Sequence, residues 1–259
     1  MISSHKNHFC FLFIIHHHHP SNGNESTTSI IMSEAAIIKR YNVEIFKPEG
    51  NPTGITVFLP GTLIPLKKFK STYEVIVNQH QIVIAFNKLN PFTSTHDKMA
   101  EKVAGVVKEF RALEENANLL PGVKYNIVGH SLGGKVCLMV AAKFDIENVN
   151  RIIALDPVDD KPQELTGASP KTILSNSEAE EIHLFQSENG GDRTFFGLGP
   201  PLCPSDRNAA VVNELYPDQI TSFEINKGAG HMSYLDTSTE SVDEEARTVV
   251  HAMIRKVIF

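Results

Sequence analysis

The sequence predicts an α/β fold in which helices cover both faces of a mostly parallel sheet. Two observations support this prediction: short, continuously apolar segments alternate with segments of helical periodicity, and a glycine-rich turn joins one apolar segment to a helical one. Strands that are buried on both faces read as continuous apolar runs, and their alternation with helices is typical of parallel sheets. With 259 residues, the chain can bury the core that one such domain needs.

The predicted strands share β-branched and other apolar residues and end at turn-forming ones. The first, residues 37–46, alternates apolar and polar side chains, as an opening strand or hairpin arm would. The others are mostly apolar runs at residues 55–59, 81–86, 125–128, 152–155, 182–185 and 220–225.

Helices are predicted between and after these strands. Residues 97–113 repeat apolar side chains at helical spacing, and residues 135–144 form a strongly helical stretch. The final helix begins with the capping box Ser241–Glu244. Its predicted buried face comprises Val242, Ala246, Val249, Met253 and Val257.

The composition excludes several classes of protein. The net charge is −6, from 24 lysines and arginines against 30 aspartates and glutamates. Nucleic-acid binding needs clustered positive charge, so we expect no nucleic-acid partner. No apolar run approaches the roughly 20 residues of a membrane helix, and nothing in the sequence points to a protein partner.

The three cysteines, Cys10, Cys137 and Cys203, lie far apart and lack the spacing of metal ligands. We therefore expect neither a disulfide framework nor a metal site built from cysteine. Cys137 and Cys203 are assigned to packing, because a free cysteine usually behaves as a small apolar residue.

We place the folded domain at residues 32–259 and treat residues 1–31 as an extension. The apolar run Phe9 to Ile15 is followed by four histidines and a Ser/Asn/Thr tract. A charged start, a short apolar run and a polar tract resemble a targeting segment. Met32 allows a second interpretation, in which the true start lies there and the upstream stretch is a disordered or non-functional extension.

The most informative segment is Gly129-His130-Ser131-Leu132-Gly133. It matches the Gly-x-Ser-x-Gly pattern, in which a serine at a sharp strand-to-helix turn projects its hydroxyl out of the sheet. The residues two before and two after the serine must be very small, because strand and helix approach each other closely there. A predicted strand precedes the segment and a helical stretch follows it, so we predict that Ser131 is a nucleophile.

A serine nucleophile needs a base, and chain order narrows the choice of histidine. Outside residues 1–31 the histidines are His80, His96, His130, His183, His231 and His251. In enzymes with this turn the base follows the nucleophile, which removes the first three, and His130 is expected to pack beside the turn. His183 lies inside a predicted strand and His251 within the last helix. His231, in a glycine-rich loop after the last strand, is the predicted base.

The acid that orients the histidine has several candidates. Asp156 ends the predicted strand that follows the nucleophile, where its carboxylate can reach the imidazole. Asp159 and Asp160 are close neighbours, whereas Glu188 and Asp192 follow the next strand, where many enzymes with this turn place their acid. Each of these side chains is equally typical of a solvated turn. We favour Asp156 and leave its rivals open.

The oxyanion of a tetrahedral intermediate needs two hydrogen-bond donors. One candidate is the backbone N–H of Leu132, directly after the nucleophile, and the other is the backbone of Thr62 in the loop after strand 55–59. Pro60-Gly61 in that loop is nearly as typical of an ordinary turn.

Four stretches form a set in chain order: GHSLGGK at 129–135, ALDPVDD at 154–160, PPLCPSD at 200–206 and GHMSYLD at 230–236. Together they resemble the chlorophyllase family, α/β-hydrolases that cleave the phytol ester of chlorophyll. The first stretch is shared with many lipases, whereas the other three in combination are more specific. The chain has Leu132 where plant members usually have Arg, Asp160 where they have Gly, and Pro60 where they have His, which suggests a divergent, algal branch.

The resemblance implies the α/β-hydrolase fold and a triad of Ser131, Asp156 and His231. The implied reaction is hydrolysis of chlorophyll to chlorophyllide and phytol, with no metal and no organic cofactor. It also implies a plastid location and transient contact with membrane lipid. If Met32 is the true start, the alternative location is the cytoplasm.

The substrate pocket is expected in two long loops, residues 157–178 and 189–218, which are rich in proline and glycine. Their apolar side chains are candidate contacts for a macrocycle or phytyl chain, although such residues often only pack a loop down: Phe195, Phe196, Leu198 and Leu202.

Two other functions fit the same residues. A carboxylesterase or lipase acting on other lipid esters would have the same triad with a different pocket. A pigment- or lipid-binding protein without turnover would keep the fold alone, but a complete set of serine, acid and histidine argues against it.

Overall fold

The computed structural model describes residues 33–113, 123–143, 149–167, 179–191, 202–236 and 241–258, with the single positions 116, 174 and 177. The proposed targeting segment within residues 1–31 lies outside the described residues. Among those described, none of the helices combines the length and apolar character of a membrane span.

The described residues form a seven-stranded sheet with the order β1-β3-β2-β4-β5-β6-β7. Its strands are β1 Val43–Phe46, β2 Gly54–Leu59, β3 Gln81–Phe86, β4 Tyr125–His130, β5 Val149–Leu155, β6 Glu181–Ser187 and β7 Ser222–Asn226. Strand β1 pairs antiparallel with β3, and every other pairing is parallel. Each of the six later strands overlaps its predicted segment.

The helices are α1 Glu34–Tyr41, α2 Lys70–Val77, α3 His96–Arg111, α4 Leu132–Lys143, α5 Ala209–Leu215 and α6 Ser241–Ile258, and a short 3-10 helix, Leu66–Phe69, precedes α2. They cover both faces of the sheet, and each face has its own apolar core. One core joins α1, α3, α4 and α5 to the sheet, and the other joins α2 and α6 to it. Neighbouring residues of β2 divide between them, with Val57 in the first core and Phe58 in the second. The predicted α/β architecture is confirmed.

The predicted opening strand at residues 37–46 is wrong in its first half, where the chain forms α1. Ser33 caps this helix by accepting a hydrogen bond from the Ala36 N–H at 3.3 Å. Ile37 and Tyr41, four residues apart, lie on one side of a helix as readily as on one face of a strand. Asn42, in the left-handed conformation with φ 56°, ends α1 and leaves only residues 43–46 for β1.

The last helix buries most of the predicted stripe, but Val249 is an error. Val249 is 39% exposed, whereas Val250 is 1% exposed and Ile254 is fully buried. Ala246, Met253 and Val257 are buried as predicted, and the side chain of Val242 lies outside those described. Helices α2 and α5 were also missed, because their eight and seven residues are too few for a clear periodicity. Helix α5 falls within the predicted loop 189–218.

The turn from β4 to α4 is packed so closely that two of its glycines admit no side chain. A Cβ atom built on Gly133 would meet the backbone carbonyl of Leu59 and would lie 2.6 Å from the Pro60 oxygen. A Cβ atom on Gly129 would meet the Gly133 carbonyl and would lie 2.6 Å from the Cys137 sulfur. Real Cβ atoms essentially never approach backbone so closely, and this agrees with the steric reason given for small residues in the Gly-x-Ser-x-Gly pattern.

We predict that Gly133→Ala is strongly destabilising, because the new methyl group must push α4 away from the end of β2. Overpacking against backbone costs about 3 kcal/mol or more, which corresponds to a fall in Tm of about 6–12 °C for a domain of this size. Thermal unfolding followed by circular dichroism measures the change.

Gly105→Ala in α3 is the matched control. Its Cβ atom would meet the end of the Tyr41 side chain, with the hydroxyl at 2.8 Å, and that side chain can rotate away. We expect a change of about 1 kcal/mol or less, since alanine also favours the helix. Equal Tm values for the two variants would contradict the steric account of the turn.

Candidate active site

Ser131 lies at the turn between β4 and α4, at the carboxyl edge of the parallel strands. Its φ of 57° is in the left-handed region, which is strained for a residue with a side chain. Neighbouring elements hold this conformation: the Ser131 N–H donates to the Leu155 carbonyl at 3.0 Å, and the Ser131 carbonyl accepts from the N–H groups of Lys135 at 3.1 Å and Val158 at 3.3 Å. The backbone of the serine is therefore fixed on both sides, and its side chain projects from the turn.

A chain of hydrogen bonds connects Ser131, His231 and Asp156. The Ser131 hydroxyl oxygen is 2.9 Å from His231 Nε2, and His231 Nδ1 is 2.6 Å from Asp156 Oδ2. An ionised carboxylate only accepts hydrogen bonds, so Nδ1 carries the imidazole proton and Nε2 is free to accept the proton of the hydroxyl. This is the tautomer that a general base needs.

The structure places Asp156, and not its rivals, against the imidazole. The Glu188 side chain is exposed and accepts a hydrogen bond from the Gly228 N–H at 2.8 Å. Asp159 is paired with Lys135 in a separate cluster, and Asp160 is exposed. Asp192 lies outside the described residues.

Of the two residues predicted to supply oxyanion donors, Leu132 is adjacent to Ser131 and Thr62 follows a glycine that contacts it. Leu132 follows it directly as the first residue of α4, where backbone N–H groups point out of the helix end and favour negative charge. A Cβ atom built on Gly61 would lie 3.3 Å from the Ser131 Cβ atom, so the loop that carries Thr62 passes the nucleophile at contact distance. The donor to the Leu89 carbonyl, at 2.9 Å, is the N–H of Leu63. This bond between the two loops therefore does not use the N–H of Thr62, the predicted oxyanion donor.

Residues 83–201 match a family model described as the alpha/beta hydrolase fold. The chain has the alpha/beta hydrolase fold. That stretch includes both Ser131 and Asp156, whereas His231 lies beyond it. None of the curated proteins matches the sequence.

Solved structures of this hydrolase fold are similar to the chain at low sequence identity. The dienelactone hydrolase of Anabaena variabilis is 15% identical, with 83% of this chain and 88% of that chain covered and a TM-score of 0.56. Esterase PE8 is 16% identical, with 83% and 98% covered and a TM-score of 0.54. The acylaminoacyl peptidase of Pyrococcus horikoshii is 15% identical with a TM-score of 0.57, and the likeness covers 82% of this chain but 38% of that one. Likeness at this level shows the fold alone.

The carboxylate of Asp156 is fully buried, yet the hydrolase fold surrounds it with donors. Ser187, at the end of β6, donates its N–H to Oδ1 at 2.9 Å and its hydroxyl to Oδ2. Burial alone would raise the pKa of Asp156, but the hydrogen bonds from His231 and Ser187 outweigh it and hold the pKa below its ordinary value. Sequence reasoning missed Ser187, because a serine at the end of a strand carries no signal of its own.

Cys203 lies closer to the site than the predicted packing role implies. Its sulfur, an oxygen of Asp156 and a nitrogen of His231 all lie within 4.8 Å of one another. Burial, followed by the nearby Asp156 carboxylate, raises the pKa of Cys203 far above its ordinary value, so the thiol stays protonated. These three residues could offer ligands to a metal, but Asp156 and His231 are already engaged in the chain to Ser131.

His130 contacts both the backbone and the ring of His231. Its Nε2 atom is 2.8 Å from the His231 carbonyl oxygen, to which it must donate, and the two rings are 4.8 Å apart. Burial, followed by the charge of His231, lowers the pKa of His130 to about 3. This histidine packs beside the turn as predicted.

His183 and His251, the two later histidines that were not favoured as the base, contact other partners. His183 is buried between Ser222 at 2.8 Å and Glu181 at 3.0 Å. His251 is within 3.4 Å of Ser71, at the start of α2.

A buried ion pair ties α4 to the loop after Asp156. Lys135, one helical turn after Ser131, is fully buried and pairs with Asp159 at 2.7 Å and Glu164 at 3.0 Å. The same ammonium group donates to the carbonyl oxygens of residues 160 and 162. A buried charge is tolerated only where it is paired and hydrogen-bonded, so this loop is held against the helix that carries the nucleophile.

The predicted substrate contacts Phe195 and Phe196 lie outside the described residues, as does Leu198. Leu202 is half-buried.

We predict that His130 makes stability fall at acid pH. Its ordinary pKa of about 6.5 applies in the unfolded chain, whereas the folded chain holds it to about 3. Below about pH 6.5 the unfolded state therefore binds a proton that the folded state does not, and the free energy of unfolding decreases by about 1.4 kcal/mol per pH unit from this residue.

His130→Gln tests this dependence, because glutamine can still donate to the His231 carbonyl but does not titrate. Urea unfolding between pH 4 and pH 7 should show a shallower loss of stability in the variant than in the wild type. His96 and His251, whose pKa values burial also lowers, remain in both proteins. Equal slopes would contradict the prediction.

Proposed function

We propose that the protein is a serine hydrolase that cleaves carboxylic esters through an acyl-enzyme. The observation that carries the proposal is the continuous chain of hydrogen bonds from the Ser131 hydroxyl through His231 to Asp156. A serine hydroxyl is a weak nucleophile at neutral pH, and this arrangement is the one that activates it.

In the proposed reaction the Ser131 oxygen attacks the carbonyl carbon of the ester while His231 Nε2 takes the hydroxyl proton. Asp156 holds the imidazole in position and stabilises its positive charge. The backbone N–H groups of Leu132 and Thr62 receive the oxyanion. The imidazolium then protonates the departing alcohol, and a water molecule activated by His231 releases the acid and restores Ser131.

We further propose that the ester is the phytol ester of chlorophyll. The four stretches that resemble chlorophyllases support this choice over other lipid esters, because the stretch around Asp156, the Pro-Cys segment and the His231 loop occur together in one order. The names of the similar structures, which include an esterase and a dienelactone hydrolase, are compatible with ester hydrolysis in general.

Two exposed apolar side chains on loops at the carboxyl edge of the sheet support an apolar substrate. Leu63 is 37% exposed and Phe92 is 83% exposed. The hydrogen bond from Leu63 to Leu89 joins their two loops, which follow β2 and β3 at the same edge of the sheet as Ser131. Residues 61–70 and 87–95 contain four lysines and no acidic residue in a chain with net charge −6, which favours transient contact with an anionic lipid surface.

We predict that Ser131→Ala abolishes hydrolysis of chlorophyll a by residues 32–259 in mild detergent. Loss of the nucleophile should reduce kcat by about 10⁴-fold or more. Chromatography separates chlorophyllide and phytol from the substrate, and nitrophenyl esters are assayed in parallel. Ser222→Ala, at the amino end of β7 and thus at the opposite edge of the sheet, serves as the control and should retain wild-type rates.

Three other outcomes would distinguish chlorophyll hydrolysis by Ser131 from the other candidate functions. Equal release by wild type and Ser131→Ala would exclude Ser131 as the nucleophile. Hydrolysis of nitrophenyl esters without chlorophyllide would reject the chlorophyll proposal and favour a general carboxylesterase. No hydrolysis of either substrate would reject the enzyme and favour a binding protein.

We predict that Phe92→Ser weakens the binding of long-chain esters. It should raise KM for a long-chain nitrophenyl ester about 3-fold to 10-fold, since losing one aromatic contact with the acyl chain weakens binding by about 1 kcal/mol. The kcat for a short-chain ester should not change. Val249→Ser, which removes an exposed apolar residue from α6, is the control, and equal effects of the two variants would contradict a role of Phe92 in substrate binding.

A further inference from the structure

The side chain of Asp156 needs external support to reach His231. Asp156 follows β5 at a φ of 46°, in the left-handed region, and Pro157 comes next. Its N–H donates to the Phe185 carbonyl at 2.7 Å, which fixes the backbone against β6. The backbone bond leaves the side-chain torsions free, and a fully buried carboxylate is costly unless donors surround it.

Ser187 donates a hydrogen bond to each oxygen of this carboxylate. The Ser187 N–H donates to Oδ1 at 2.9 Å, and the Ser187 hydroxyl donates to Oδ2, the same oxygen that accepts from His231 Nδ1. Two donors from one residue, one to each oxygen, restrict the rotation of the carboxylate about its bond to Cβ. That rotation decides whether Oδ2 points at the imidazole.

The surroundings leave little room for the carboxylate to turn elsewhere. A Cβ atom built on Gly190 would lie 3.1 Å from Asp156 Oδ2, 2.5 Å from the Ser187 hydroxyl oxygen and 3.1 Å from the Cys203 Cβ atom. The loop after β6 therefore closes over the pair at a position where only glycine fits. Asp156 and Ser187 are 0% and 2% exposed, so protein groups rather than water must satisfy the carboxylate.

We propose that Ser187 is the positioning residue of the acid, and that its hydroxyl keeps Oδ2 of Asp156 directed at His231 Nδ1. The end of β6, where a rival acid was considered, thus supplies the donors that hold an acid from β5. This inference rests on the proposed serine hydrolase function. The backbone N–H of residue 187 is present with any side chain except proline, so the hydroxyl is the part that a substitution can remove.

The test compares Ser187→Ala with Ser187→Thr, which retains a hydroxyl. We expect Ser187→Ala to lose about 10-fold to 100-fold in kcat, because a hydrogen bond to a charged group is lost. KM should stay within about twofold, since Ser187 acts on the imidazole and not on the substrate. Ser187→Thr should restore most of kcat.

Ser222→Ala is the matched control, since it removes a serine hydroxyl that contacts His183 at 2.8 Å on the neighbouring strand. Its kcat should equal that of the wild type, while its Tm reports the cost of losing one such bond. Wild-type kcat in Ser187→Ala, or a loss explained by a smaller folded fraction, would overturn the proposal. So would a loss that Ser187→Thr does not restore while its Tm equals that of the wild type.

Two further measurements separate this proposal from the proposed function. The rate at which a fluorophosphonate labels Ser131 depends on the same imidazole but needs no ester substrate, and it should fall in Ser187→Ala in parallel with kcat. The Nδ1 proton of His231, observed by NMR at low field, should shift in Ser187→Ala and return in Ser187→Thr. If the wild type neither hydrolyses esters nor is labelled, the proposed function fails and the NMR signal alone decides the role of Ser187.

Discussion

The close approach of α4 to the ends of β2 and β4 is the constraint on which the arrangement of the site depends. Without side chains at Gly129 and Gly133, the first turn of the helix can reach the backbone of the loop after β2. The serine between them is forced into a left-handed conformation that β5 and its following loop stabilise through hydrogen bonds. One steric condition therefore brings the nucleophile, the candidate oxyanion loop and the strand of the acid together.

Two buried carboxylates then fix the two ends of the segment from residue 156 to residue 159. Asp156 is held by Ser187 from β6, and Asp159, three residues later, is held by Lys135 from α4. Either carboxylate alone would be costly to bury, but each has a full set of donors. The short stretch from 156 to 159 is thereby locked between the helix of the nucleophile and the neighbouring strand, so the acid is positioned by contacts that extend well beyond the histidine.

Most of the fold could be predicted from the sequence, because strands buried on both faces leave a simple apolar pattern. Ser131 and His231 could be singled out because the sterics of the turn restrict the first and chain order restricts the second. It could not choose firmly between Asp156 and Glu188, since both follow strands that end at the same edge. The hydrogen bond between His231 and Asp156 distinguishes them, and it depends on tertiary geometry. The helix at 34–41 was mistaken for a strand because Ile37 and Tyr41 suit either period, and seven residues were too few to reveal α5.

His130 and Ser131 together hold both parts of His231, since one bonds its backbone carbonyl and the other its ring nitrogen. The predicted base is thus hydrogen-bonded to the turn that carries Ser131 through both its backbone and its ring. In the proposed reaction the imidazolium protonates the departing alcohol, so the oxygen of that alcohol must come within hydrogen-bond reach of Nε2. Selection among esters would then act on the shape of the alcohol, because only alcohols that fit that side of the ring can collect the proton and leave.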